Sequence, residues 1–252
     1  MSVLLKEIVA KLDELLKPWL ADDWPAAKNG LQVECAAPIS RVAAAVDATL
    51  PVIRKAVERR ANLLIVHHGL FWTGIEPLTG AAYQKIRLCV QNNLAIYSSH
   101  LPLDAHEEHG NGVGFLTALG LQSGEACFEC KGWKIGRLVD TDLTTIELLE
   151  RCEKATGEIP NLVHMARARV GRLAVVTGGG GDMIRDAARL GVHTFLSGEG
   201  AHWTAGLAEE LGINLIYAGH YATETFGVRS LAAWCSRHWG IDWEFIPHPS
   251  GL

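Results

Sequence analysis

The run Leu63-Leu64-Ile65-Val66-His67-His68-Gly69 joins four apolar residues to two histidines and a glycine. Four consecutive apolar residues fit a strand buried on both faces, the pattern of a parallel sheet. Such sheets place functional groups where strands end and loops begin, which is where His67 and His68 fall. On a regular strand neighbouring side chains face opposite ways. The two imidazoles therefore serve one site only if the chain turns there, and Gly69 permits a turn. The plainer alternative is a histidine pair that caps the strand and bonds backbone.

Outward from this run the chain alternates strands and helices. Towards the N-terminus, Arg41 to Val46 reads as a strand ending at Asp47-Ala48-Thr49, and Pro51 suits the first turn of a helix over 51–60. Further back, Leu4, Leu5, Ile8, Leu12, Leu15 and Leu16 share one face of a helix over 2–17, which Pro18 ends. Asn29-Gly30-Leu31-Gln32-Val33-Glu34 is a turn into an extended segment. Towards the C-terminus, a helix over 80–92 precedes a strand from Leu94 to Tyr97, which delivers His100 and Asp104. Residues 105–112 are a polar loop in which His106 and His109 are read as solvated. Beyond a helix at 112–119, strands are expected at 133–139, 172–177, 193–197, 215–218 and 241–246. The helices between them cover 143–155, 182–190 and 201–211, with a long one running to about 239. This is an α/β chain with mostly parallel pairing.

The chain also repeats itself. Arg41–Trp72 aligns without gaps on Arg172–Trp203, with Ile53 on Ile184, Arg54 on Arg185 and Gly69 on Gly200. The match resumes where Leu94-Ala95-Ile96-Tyr97-Ser98-Ser99-His100 meets Asn214-Leu215-Ile216-Tyr217-Ala218-Gly219-His220. Each copy follows its histidine four residues later with an acid, Asp104 or Glu224. Two related α/β units are expected, one formed by 1–126 with 220–252 and the other by 127–219. Gly198 and Glu199 stand where the first copy has His67 and His68. Gly178, Gly179 and Gly180 replace Asp47-Ala48-Thr49.

Composition narrows the function classes. With 252 residues, 48% hydrophobic, the chain is long enough for one large or two small domains. A net charge of −5 gives no global basic signature for nucleic acid. No apolar run approaches a membrane span, and the N-terminus reads as an amphipathic helix rather than a signal peptide. Six scattered cysteines look like the reduced thiols of a cytoplasmic protein. Cys127-Phe128-Glu129-Cys130 has no second ligand pair and reads as an ordinary thiol pair.

His67, His68, Asp104, His220 and Glu224, with His100 as a further ligand or a supporting group, exceed what one tetrahedral structural zinc takes. They suit two divalent ions sharing a carboxylate, and mixed N/O donors fit Zn, Mn, Fe or Ni. A metal-free His/Asp dyad lacks a nucleophilic Ser or Cys in a recognised motif. Gly178, Gly179, Gly180 and Gly181 open a helix and suit either phosphate or a tight turn. Glu199, His202 and Tyr221 are the candidate catalytic groups.

Three stretches, Ile65-Val66-His67-His68-Gly69, His100-x-x-x-Asp104 and Ala218-Gly219-His220-Tyr221-Ala222-Thr223-Glu224, resemble the NIF-three-like family, whose bacterial members are labelled GTP cyclohydrolase I type 2 homologues. Asn29-Gly30-Leu31-Gln32-Val33 is similar to it as well, and the chain looks like the short form without an inserted domain. The resemblance implies two α/β/α units with a dinuclear metal site in the cleft between them, Glu224 bridging, and a ring-shaped homohexamer. It also implies nucleotide hydrolysis of the GTP cyclohydrolase type or the processing of damaged nucleotides. The competing expectation is a non-enzymatic assembly or binding protein whose ions fix its parts together.

Overall fold

The structure, a computed structural model, describes residues 2–74 and 76–251. Its strands are β1 (Gly30–Val33), β2 (Arg41–Asp47), β3 (Leu63–His68), β4 (Ala95–Ser98), β5 (Glu125–Cys130), β6 (Trp133–Thr144), β7 (Asn161–His164), β8 (Arg169–Val176), β9 (Thr194–Ser197), β10 (Asn214–Tyr217) and β11 (Asp242–Phe245). The helices are α1 (Leu5–Leu16), α2 (Leu50–Glu58), α3 (Gly80–Gln91), α4 (Leu101–Asp104), α5 (Asn111–Ala118), α6 (Thr145–Thr156), α7 (Ile184–Arg189), α8 (Trp203–Leu211), α9 (His220–Thr223) and α10 (Thr225–Trp239). Among the described residues no helix is long and apolar enough to cross a membrane.

The chain divides into two compact units, Met1–Leu103 with Gly227–His248, and Asp104–Phe226 with Pro249–Leu252. In the first, the strand order is β1-β4-β3-β2-β11. β11, β2, β3 and β4 run parallel, and β1 joins the β4 edge antiparallel. All six residues of β3 are buried, as its apolar run predicts. Leu63 and Ile65 face a core with Ile8 and Leu12 of α1 and Leu231 and Cys235 of α10. Leu64 and Val66 face a second core with Val52 and Ile53 of α2 and Cys89 of α3. The unit is thus three layers, helix on sheet on helix, and burying each such aliphatic side chain contributes about 1.5–3 kcal/mol. Thr49 caps α2 by accepting from the Val52 amide at 3.4 Å, and Pro51 sits in its first turn.

The second unit has the order β5-β6-β8-β9-β10-β7. Here β8, β9 and β10 are parallel, and β7 lines the β10 edge antiparallel. The series β2-β3-β4-β1 is therefore repeated as β8-β9-β10-β7. The register repeats too, since Val42 pairs with Leu63 and Leu173 with Thr194. The duplication read from the sequence is a duplication of topology.

Two features differ from the expectation. The second sheet is not mostly parallel, because β5 and β6 add an antiparallel hairpin at the β8 edge. The strand expected at 133–139 runs on to Thr144, where Thr144 and Glu147 form a capping box that starts α6. The two compact units meet at Leu103/Asp104 and Phe226/Gly227. Phe115, Leu116 and Leu119 share a core with Leu148, Cys152, Leu173 and Val175, and Phe226 stacks on Phe115 at 5.4 Å. That packing places 104–126 and 220–226 with the second unit.

Candidate metal centre

In the first unit, parallel pairing aligns the C-terminal ends of β2, β3 and β4, with Asp47 opposite His68 and Val66 opposite Ser98. His67 and His68 end β3, and His100 stands between β4 and α4. The ring centroids of His67 and His68 are 4.8 Å apart, as are those of His67 and His100. Each of the three offers one ring nitrogen within 4.8 Å of the others. All three are buried. Trp72 leans on this group, 4.4 Å from the His68 ring and edge-on to His100 at 4.6 Å.

His67 and His68 converge without a left-handed turn at Gly69. That glycine is needed for space, since a Cβ there would run into the Gln32 side-chain amide.

Each imidazole is oriented from behind. His67 Nδ1 lies 2.9 Å from the Ser99 carbonyl oxygen, which only accepts, so Nδ1 carries the proton. His68 Nδ1 donates to Asp47 Oδ1 at 2.8 Å, and His100 Nδ1 donates to Asp23 Oδ1 at 2.8 Å. In the second unit His220 Nδ1 donates to Glu199 Oε1 at 2.8 Å. An imidazole whose Nδ1–H is held by an oxygen presents Nε2 as its ligand atom, the arrangement of metal-binding histidines. The donor set therefore fits a divalent metal ion.

The second unit holds the other expected ligands. His220 opens α9 after β10, and its Nε2 is 3.2 Å from Glu224 Oε2, one helical turn on. Glu224 is 4% exposed. Asp104, at the end of α4, is buried and accepts from Asn111 Nδ2 at 2.8 Å. The two H-x-x-x-[DE] pairs thus start from equivalent strand ends, each leading into a single helical turn.

Burial alone would lower the pKa of His220, but Glu224 first and Glu199 second overcome it and push it up to about 9. With both ring nitrogens facing carboxylates, the metal-free chain holds His220 as imidazolium, and an ion bound there would take the place of the Nε2 proton. The sign of the stability effect follows. The folded value lies above the unfolded value of about 6.5, so the stabilisation is complete below pH 6.5. It is lost as pH rises through about 9. Urea unfolding of chelator-treated protein is expected to give a lower midpoint at pH 9.5 than at pH 6.5. His220→Gln is expected to flatten that difference.

The remaining candidates have different places. Glu199 orients His220, which makes it a positioning residue. Tyr221 is buried, and His202 is exposed ahead of α8. In the Gly178–Gly181 loop the Gly178 amide donates to Thr223 Oγ1 at 3.0 Å and the Gly181 amide to the Glu199 carbonyl at 2.9 Å. Gly178 has φ +63°, and a Cβ there would collide with Glu224 Oε1. Gly178 makes room for the Glu224 carboxylate, while Gly180 and Gly181 pack against Val176 and Gly200. His106 and His109 are not simply solvated: His109 is buried, and His106 Nδ1 accepts the Glu108 and His109 amides, both at 3.1 Å. Burial pushes the Cys127 thiol up to about 12, which leaves it protonated and unreactive.

Sequence reading missed Asp23, Ser99 and Asn111 and assigned no role to Asp47 or Trp72. The strand-end position of Asp47, one parallel strand from His68, was a usable signal. Asp23 has none, since it lies 77 residues from His100.

Known proteins place the chain among relatives along its whole length. It is 40% identical over 249 residues to a Deinococcus radiodurans protein called "GTP cyclohydrolase 1 type 2 homolog", covering 98% of this chain and 94% of that one. A Pyrococcus horikoshii protein of the same name is 39% identical, covering 98% of each. The crystal structure of TTHA1606 from Thermus thermophilus matches with a TM-score of 0.88 at 36% identity, over 100% of both chains. The model of the Duf34/NIF3 (NGG1p interacting factor 3) family matches residues 3–250, and the chain belongs to that family.

Proposed function

We propose that the chain is a metal-dependent hydrolase acting on a nucleotide or a related phosphorylated or cyclic-amide substrate. Two divalent ions would be held by His67, His68, Asp104, His220 and Glu224, with His100 a further ligand or a support. The observation that carries this reading is the set of four imidazoles whose Nδ1 atoms are each held by an oxygen. The name shared by the D. radiodurans and P. horikoshii relatives supports the substrate class. When bound, divalent ions polarise a substrate oxygen and bring the pKa of water towards neutrality. The chain's own residues do the rest. Ser99, Asp47, Asp23 and Glu199 fix the ring orientations, Asn111 holds Asp104, and Trp72 shields His68 and His100 from water. The chain is proposed to assemble as a homohexamer.

The test is turnover of a nucleotide panel by metal-loaded wild type and His220→Ala, with melting temperature and light scattering in parallel. Turnover in wild type that His220→Ala loses while staying folded supports the hydrolase. No turnover on any substrate, with the assembly falling apart on chelation, replaces it with the reading that the ions serve assembly.

A further inference from the structure

The Asn29-Gly30-Leu31-Gln32 motif has no part in the proposed ligand set, yet both of its polar side chains end on ligand-bearing loops. Asn29 Oδ1 accepts the His100 amide at 2.8 Å, and Asn29 Nδ2 donates to Asp23 Oδ2 at 2.8 Å. The other Asp23 oxygen, Oδ1, accepts His100 Nδ1 at 2.8 Å and the Trp24 amide at 2.6 Å. Oδ2 also accepts the Leu101 amide at 3.0 Å. Asp23 is therefore saturated with donors, and its side chain is 8% exposed. Burial works to raise its carboxyl pKa, but His100, Asn29 and the Trp24 amide together hold it below the ordinary aspartate value.

Gln32 does the same for the other loop. Its Oε1 accepts the Leu70 amide at 2.7 Å, two residues after His68. Its Nε2 donates to the carbonyls of Ala27 at 3.1 Å and Lys28 at 2.9 Å, which anchors the amide in a fixed orientation. Gly69 lies flat against it, with no room for a side chain. Between the two polar residues, β1 is zipped to β4, Gly30 opposite Ser98 and Leu31 opposite Tyr97. One short edge segment thus braces the loop after β3 and the loop after β4 at once.

We infer that Asp23, Asn29 and Gln32 are positioning residues of the metal centre, holding the His100 ring and the His68 loop so that the imidazoles of this unit stand at coordinating spacing before an ion arrives. The inference rests on the metal-binding reading above. An imidazole freed from its outer carboxylate rotates and changes tautomer, and loss of such a partner weakens metal binding by roughly 10- to 100-fold. Asn29 and Gln32 act on different loops through one strand, so their effects on affinity couple rather than add.

Cobalt(II) is the probe, titrated into the chelator-treated full-length chain with affinity read by competition and coordination by the visible absorption band. Asp23→Asn and Asn29→Ala are expected to weaken the tightest cobalt by roughly 10- to 100-fold and to alter the band, with melting temperature as the fold control. Gln32→Ala is expected to weaken binding, and Gln32→Glu, which sets a carboxylate oxygen against the Ala27 and Lys28 carbonyls in place of the Nε2 donor, to give no recovery. Asn29→Ala and Gln32→Ala keep the test decisive if Asp23→Asn does not fold. Folded variants with wild-type affinity and spectrum overturn the inference while leaving the metal site intact. A wild type that takes up no cobalt overturns the metal reading itself.

Discussion

His68→Ala is expected to lower the affinity of the chain for divalent metal by at least about a hundred-fold, beyond the upper end of what loss of an outer partner costs. His68 is 7% exposed and ends β3 with Asp47 directly opposite it. Its Nδ1 is committed to Asp47, so what the imidazole offers inward is Nε2. Removing the ring deletes a ligand atom and leaves the Asp47 carboxylate without its imidazole donor. The strand itself is held by Leu63, Leu64, Ile65 and Val66, all fully buried, so the unit still folds. Competition against a chromophoric chelator, with elemental analysis of the isolated protein, reads the loss. Asp47→Asn is the graded comparison, keeping the ring while weakening its outer bond, and is expected to fall between His68→Ala and wild type. Affinity for the Ala variant within about three-fold of wild type, far short of the loss expected even for an outer partner, removes His68 from the ligand set.

Gly178→Ala is expected to damage the second unit's ligand pair without touching either ligand. Gly178 sits at φ +63°, where a non-glycine residue is strained by about 1–2 kcal/mol. The larger effect is steric, because the new methyl group would occupy the place of Glu224 Oε1. Glu224 must then leave the position where Oε2 stands 3.2 Å from His220 Nε2. Loss of metal, loss of the elevated His220 pKa and a lower melting temperature are expected together. A calorimetric melt and an NMR titration of His220 in the metal-free variant check this. A variant whose His220 still titrates near 9 places Glu224 elsewhere than described.

How much was legible in the sequence depended on whether a feature was local. The apolar run 63–66 fitted a strand buried on both faces, and its two cores bear that out. The repeat carried the parallel cores of both sheets and the matched His100/Asp104 and His220/Glu224 pairs, because gapless similarity preserves topology. The hairpin of β5 and β6 was half hidden, since Glu125–Cys130 lacks a clean apolar alternation and its pairing depends on a partner strand. Of the outer carboxylates, Asp23 was hidden for the same reason, and the partnership of Glu199 with His220 was too. Asp23 meets His100 across 77 residues, and Glu199 meets His220 across 21, so no spacing rule connects them. The glycine loop was read as suiting either phosphate or a tight turn, and the close approach of Glu224 to Gly178 was not visible, because it depends on a neighbour distant in the chain.

Metal stoichiometry bears most directly on the central claim. The wild-type chain is stripped with chelator, reloaded with zinc, manganese, iron(II) or nickel, freed of excess ion and analysed for metal and for protons released. Two divalent ions per chain, with proton release that falls away in His220→Gln, is the predicted result. A folded chain that retains no ion of any kind after reloading contradicts it.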